Sequence, residues 1–236
     1  MQEPRADFLF VLILGILSML TPLAIDMYLP AFLNIANDFS VSQEKIQTTL
    51  ALFTFGFAFG QLFWGPLSDS YGRKPIILIG IVVSAVVSLG ITQVKHIEHF
   101  YALRFVQGFF GASPAVVTGA LLRDLFAKNE FARQMSMIMI VTMIAPLLAP
   151  VLGGYLTDWF HWHVIFYVLM ALGLVCALLV FFKIPETLPL ARRTPLKIGS
   201  ILKVFGRLLS NKKVLGYIFC NSLSYSGMFC FLSAGS

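Results

Sequence analysis

Gly65-Pro66-Leu67-Ser68-Asp69-Ser70-Tyr71-Gly72-Arg73-Lys74-Pro75 joins two runs that carry no Asp, Glu, Lys or Arg outside it, residues 46–68 and 75–94. An apolar helix needs roughly 20 residues to cross a hydrocarbon layer, so each run can span a bilayer and the stretch between them is the tight turn of a membrane hairpin. Its glycines let the chain reverse, Asp69 can accept bonds from a helix N-terminus or from Arg73, and Arg73 and Lys74 hold the turn on the cytoplasmic side. Outward from this hairpin the pattern repeats. Residues 8–25, 105–122, 134–157, 159–182 and 214–236 are likewise free of the four charged types. The first run continues past one acid, Asp26, towards Asn37, and the fourth span begins near Phe100 and takes in Arg104. Seven membrane helices are expected.

Composition agrees. Of 236 residues 58% are hydrophobic and 12% charged, and mean hydropathy is +0.85, more apolar surface than a water-soluble domain could hide. A soluble enzyme, a secreted disulfide scaffold and a disordered tail are excluded. Cys176, Cys220 and Cys230 all lie in apolar stretches, odd in number and without a C-x-x-C pair, which indicates neither a disulfide framework nor a zinc site. The first span has no strongly basic segment before it and no small-residue cleavage site after it, so it does not read as a cleavable signal.

The 17 Lys and Arg residues fix an expected orientation. Arg5, the pair Arg73 and Lys74, the group Arg123, Lys128 and Arg133, and the run from Lys183 to Lys213 fall on one side, whereas only Lys45 and Lys95 fall on the other. That bias places the N-terminus in the cytoplasm of a multi-pass protein. It also removes nucleic acid as a partner, because the basic residues flank spans and have no stacking platform among them. His96, His99, His161 and His163 all fall near the outer face. Residues 185–213 form a basic cytoplasmic connection. There Ile198, Ile201, Leu202, Phe205, Leu208 and Leu209 recur at helical spacing between Lys197, Lys203 and Arg207, which suits an amphipathic surface helix or a linker that only fixes topology.

Two ionisable residues lie inside spans. Arg104 cannot shed its charge, so it must face the bundle interior or snorkel to the nearby interface. Asp26, in Leu23-Ala24-Ile25-Asp26-Met27-Tyr28-Leu29-Pro30, can exchange a proton for a substrate, unless Thr21, Tyr28 or backbone groups near Pro22 and Pro30 satisfy it. At 1.5 Å per residue both fall in the outer half of the membrane, about 16 Å and about 10 Å from its outer end. Span five carries Ala145-Pro146-Leu147-Leu148-Ala149-Pro150-Val151-Leu152-Gly153-Gly154, where prolines kink and glycines admit close packing. Gly56-Phe57-Ala58-Phe59-Gly60 is a helix-packing face, and Tyr28, Gln61 and Gln107 are candidates to line a wet cavity, the glutamines being equally open to an interhelical bond.

Four of these stretches together resemble the major facilitator superfamily, and in particular the Bcr/CflA drug:proton antiporters. Residues 65–75 resemble its loop signature G-x-L-x-D-x-x-G-R-[RK], Arg104 to Gly108 its R-x-x-Q-G motif, Asp26 to Pro30 its D-x-x-x-P element, and residues 149–154 its G-P-x-x-G-G motif, with Ala149 where the first glycine is usual. Lys183-Ile184-Pro185-Glu186-Thr187 is similar to the close of the family's sixth helix. The resemblance implies an all-α integral membrane fold. Residues 1–184 would be a six-helix N-terminal half of three plus three helices in inverted repeat, and 214–236 a seventh helix that begins a missing second half. It further implies proton coupling through Asp26 and Arg104, an inner-gate loop of Gly65, Asp69, Gly72, Arg73 and Lys74 latched to Asp124, and a hinge at Pro150, Gly153 and Gly154.

The function expected is export of drug-like molecules such as bicyclomycin or phenicols across a bacterial inner membrane. The proton gradient would be the energy source, without metal or cofactor, and the chain a partial one that assembles with a second copy or with its missing half. The alternative is a non-transporting membrane fragment, scaffold or regulatory subunit. Enzymatic motifs fail on spacing: His96-Ile97-Glu98-His99 is not H-E-x-x-H, Gly111 to Ala115 lacks the last glycine of G-x-S-x-G, and no phosphate loop is present.

Overall fold

A computed structural model describes residues 8–196 and 198–234, so Arg5, Lys197 and Ser236 lie outside it, as do the side chains of Ile198, Ile201, Leu202, Phe205 and Cys230. The described residues form helices and no strand: α1 (Phe8–Asp26), a 3₁₀ turn (Leu29–Ala31), α2 (Phe32–Asp38), α3 (Gln43–Tyr71), α4 (Arg73–Ile91), α5 (Ile97–Leu125), α6 (Lys128–Thr142), α7 (Ile144–Trp159), α8 (His163–Lys183), a second 3₁₀ turn (Leu190–Arg192), α9 (Ile198–Ser210) and α10 (Lys212–Ala234). Among the described residues, six spans are long and apolar enough to cross a membrane. The first is α1 with α2 (Phe8–Asp38) and the fifth is α6 with α7 (Lys128–Trp159).

Both composite spans break where the sequence places proline. Pro146 has no N–H to offer the Thr142 carbonyl, and the helix is interrupted at Met143 between α6 and α7. Pro30 likewise cannot serve the Asp26 carbonyl, and α1 ends at Asp26. Pro22, Pro66, Pro114 and Pro150 instead sit within continuous helices, so proline alone does not locate a break.

Span two packs on span four, span one on span five, and span three on span six. Span one also meets four and six, span three meets four, and sequential neighbours touch. Exchanging spans one, two and three for four, five and six maps this set of pairs onto itself, the signature of an inverted three-plus-three repeat. The closest approach is α3 against α5. A Cβ on Gly56 would overlap the Phe105 carbonyl, and one on Gly108 the Phe53 carbonyl. The Gly56 to Gly60 face is therefore spent on packing within the chain. On α7, Ala145, Ala149, Gly153 and Thr157 form a small-residue buried stripe at intervals of four.

The described residues from Pro195 onward form a separate unit in which α9 packs on α10. The Asn211 side chain accepts from the Lys213 N–H at 3.0 Å, capping α10. The expected seventh span coincides with α10. It carries Asn221, Ser222, Ser224 and Ser226 among its apolar residues.

Candidate functional site

The break in span one brings the two intramembrane charges into one neighbourhood. Tyr28 donates its N–H to the Ile25 carbonyl at 3.3 Å, which strips the Ala24 carbonyl of the amide a continuous helix would supply. Nη1 of Arg104 donates to that carbonyl at 3.3 Å and to Oε1 of Gln107 at 2.8 Å. Gln107 passes the chain on, donating to Ser88 Oγ at 2.7 Å, and Ser88 donates to the Ser84 carbonyl at 2.9 Å. The guanidinium carbon lies 4.4 Å from the centre of the Tyr28 ring and 4.5 Å from that of Phe53, close enough for the ring faces to stabilise the cation. Arg104 is 0% exposed, so it faces the interior and does not snorkel. Its Nε and Nη2 have no partner among the described residues.

Asp26 is 8% exposed, yet among the described residues no hydrogen bond or ion pair reaches its carboxylate. The groups that could have satisfied it are engaged elsewhere. Thr21 donates to the Gly111 carbonyl at 3.2 Å, and the Tyr28 hydroxyl pairs with Thr49 Oγ1 at 2.6 Å. Asp26 and Arg104 thus meet through backbone and not through an ion pair, since Arg104 holds the carbonyl two residues before the acid.

Gly153 presses on the same break. A Cβ there would overlap the Met27 carbonyl, while one on Gly154 would meet nothing within 4 Å. Gly153→Ala should therefore lower bundle stability by about 1–3 kcal/mol and Gly154→Ala should leave it unchanged, as read by thermal melting of the purified protein. Pro150 sits inside α7 one turn before Gly153.

Of the three expected cavity residues, Gln107 borders a cavity of about 30 Å³ that Thr21, Ser84 and Ser88 also line, with room for about one water. Tyr28 is sealed in the aromatic core, where Phe32, Phe100 and Phe166 surround it. Gln61 is exposed on α3.

The loop between α3 and α4 is a closed polar network. Gly72 takes a φ of 107°, a conformation costly for other residues, and a Cβ there would also strike the Glu186 carboxylate. Arg73 donates to Asp69 at 2.6 Å, to Ser68 at 2.7 Å and, through Nε, to Asp124 at 2.9 Å on α5. Lys74 donates to the Phe181 carbonyl at 2.6 Å. A Cβ on Gly65 would meet only Val116, but the Gly65 carbonyl accepts the Ser68 hydroxyl at 2.8 Å and so joins the network through its backbone.

Two participants escape the sequence reading. Glu186 caps α4, accepting the Arg73 N–H at 3.0 Å and the Lys74 N–H at 3.3 Å, and lies 3.8 Å from Arg193. From sequence it reads only as a helix stop, because the α4 amides it caps lie more than a hundred residues away. Gly108 was visible inside R-x-x-Q-G, but its contact with α3 was not.

The family model described as Major Facilitator Superfamily matches residues 14–235. A bicyclomycin resistance protein homolog from Haemophilus influenzae is 54% identical over 236 residues, which are 100% of this chain and 59% of that protein. Multidrug resistance protein MdtL of Klebsiella pneumoniae is 33% identical over 227 residues, 95% of this chain and 56% of that one. The chain thus spans little more than half the length of these curated relatives. The fold is similar to that of a bacterial homolog of the human lysosomal transporter Spinster, solved inward-facing and unoccupied, with a TM-score of 0.68 at 15% identity over 84% of this chain and 46% of that one. It is also similar to the human organic anion transporter MFSD10, with a TM-score of 0.63 at 22% identity over 85% and 53% of the two chains. By sequence and fold together, this multi-pass membrane chain belongs to the major facilitator superfamily.

Proposed function

We propose that this chain forms the N-terminal half of a proton-coupled exporter of drug-like small molecules, of the Bcr/CflA type, in a bacterial inner membrane with its N-terminus in the cytoplasm. The observation that carries the reading is Asp26, an acid at a helix break inside a span whose carboxylate makes no hydrogen bond or ion pair among the described residues, beside a cation that is buried for good. An acid within a membrane helix is costly, and that cost goes with a proton or substrate pathway.

In this reading Asp26 takes up a proton from outside and gives it up on the inside when a cationic or polar substrate competes for the site. Arg104 biases that exchange without neutralising the acid, because its bonds go to Ala24 and Gln107. Gly153 and Pro150 let span five rock on the break, and Arg73, held by Asp69 and Asp124, closes the inner side. The substrate path runs between two six-helix halves, the second supplied by a C-terminal half or by another copy. The bicyclomycin resistance and multidrug resistance relatives support a drug substrate, and the family resemblance extends the candidates from bicyclomycin to phenicols.

The test is drug accumulation by inverted membrane vesicles containing the chain. Uptake that follows respiration and collapses on adding an uncoupler is expected; uptake indifferent to the uncoupler excludes proton coupling. No uptake by folded, inserted protein would favour a non-transporting scaffold or regulatory subunit.

A further inference from the structure

Asp38 closes span one, and His161 and His163 flank the turn between spans five and six, at the end of the bundle opposite Gly72. Their ligand atoms lie within 4.8 Å of one another. The two Nδ1 atoms are 3.3 Å apart, and His161 Nδ1 is 3.9 Å from Asp38 Oδ2. Two nitrogens each at 2.0–2.1 Å from a tetrahedral zinc ion stand about 3.3 Å apart, so the imidazole pair already has the edge length that such an ion requires. The carboxylate must close by about half an ångström on His161 and by up to about one and a half on His163, within reach of a rotation of the exposed Asp38 side chain.

The surroundings support the ligands as they do in built metal sites. Trp162 Nε1 donates to Asp38 Oδ2 at 2.7 Å, orienting the carboxylate. The Trp162 ring also stacks on His163 with centroids 3.7 Å apart, fixing that imidazole. Trp162 is itself fully buried against Phe39, Phe100 and Phe166 and cannot swing away. Asp38 and His161 are exposed, which leaves the position open to solvent and a fourth ligand to water.

The geometry points to a divalent transition-metal site, with Zn²⁺ as its ion, formed by Asp38, His161 and His163. Two imidazoles and a carboxylate are a borderline N/O donor set that suits zinc and rejects calcium and magnesium, which prefer oxygen alone. Bound there, the ion staples the end of span one to the turn between spans five and six. The sequence suggested no metal set, because Asp38 and the histidines lie far apart in the chain and match no ligand spacing.

The test is isothermal titration of the tag-free, EDTA-treated full chain with Zn²⁺, alongside thermal melting with and without the ion. One bound ion and a raised melting temperature are expected. His161→Gln/His163→Gln should weaken binding at least about 100-fold, and Asp38→Asn, which keeps an acceptor for Trp162, at least about 10-fold. His96→Gln/His99→Gln should bind as the parent does. Absence of zinc binding by the parent chain, unchanged affinity in the His161/His163 variant, or loss in the His96/His99 variant would overturn the site. Should the double variant fail to fold, Asp38→Asn decides: a zinc-induced melting shift equal to the parent's overturns it.

Discussion

Asp26→Asn should reduce energised drug uptake by inverted vesicles to the level of vesicles without the protein, while equilibrium binding of the drug stays within about threefold of the parent. Asparagine keeps the size and a carbonyl acceptor of the acid but cannot release a proton, so it separates occupancy from coupling. Folding should survive, because no hydrogen bond or ion pair to the carboxylate is lost among the described residues. Removing an unpartnered buried acid ordinarily leaves a protein no less stable. An Asp26→Asn chain that accumulates drug against an uncoupler-sensitive gradient as the parent does would show that the coupling proton travels elsewhere. Arg104→Gln is the contrasting case. It withdraws a donor from the Ala24 carbonyl at the break, so it should lower stability as well as uptake.

Gly108→Leu should abolish the folded bundle. A Cβ at this position already overlaps the Phe53 carbonyl, and across the same crossing Gly56 faces the Phe105 carbonyl in the same way. Backbone cannot rotate aside as a side chain can, so the two helices must separate along their contact, at a cost above about 3 kcal/mol. The expected readout is loss of the monodisperse peak on size exclusion in detergent and of a cooperative melt. Gly119→Leu on the same helix is the control, since a Cβ there meets nothing within 4 Å, and it should behave as the parent does. A Gly108→Leu protein that melts like the parent would mean that α3 and α5 do not cross at these glycines.

Much of this architecture is legible in the chain because lipid imposes simple conditions. Six spans announce themselves as long runs without charge, and Asp26 and Arg104 stand out because a membrane helix rarely tolerates such groups. The break in span one was readable in part, since Pro30 visibly deprives the Asp26 carbonyl of a donor. What stayed hidden depends on register between helices. That Arg104 serves the Ala24 carbonyl and not the Asp26 carboxylate follows from a rotation of α5 against α1 that no local pattern encodes. The Glu186 cap on α4 and the Asp38 and Trp162 pair, 124 residues apart, are hidden for the same reason. Gln61 shows the converse: a polar residue in a span suggests an interior role, and it lies exposed on α3.

Every principal pairing of spans joins the first three to the second three, two with four, one with five and three with six. Biosynthesis delivers spans one to three before any of those partners exists. As each leaves the insertion machinery it must rest in lipid on helical hydrogen bonds alone, with the freed Ala24 carbonyl at the break unsupported until Arg104 arrives with span four. A ribosome halted between spans three and four should therefore leave a nascent chain open to membrane proteases, and one halted after span five, when Gly153 has reached Met27, a chain that resists them.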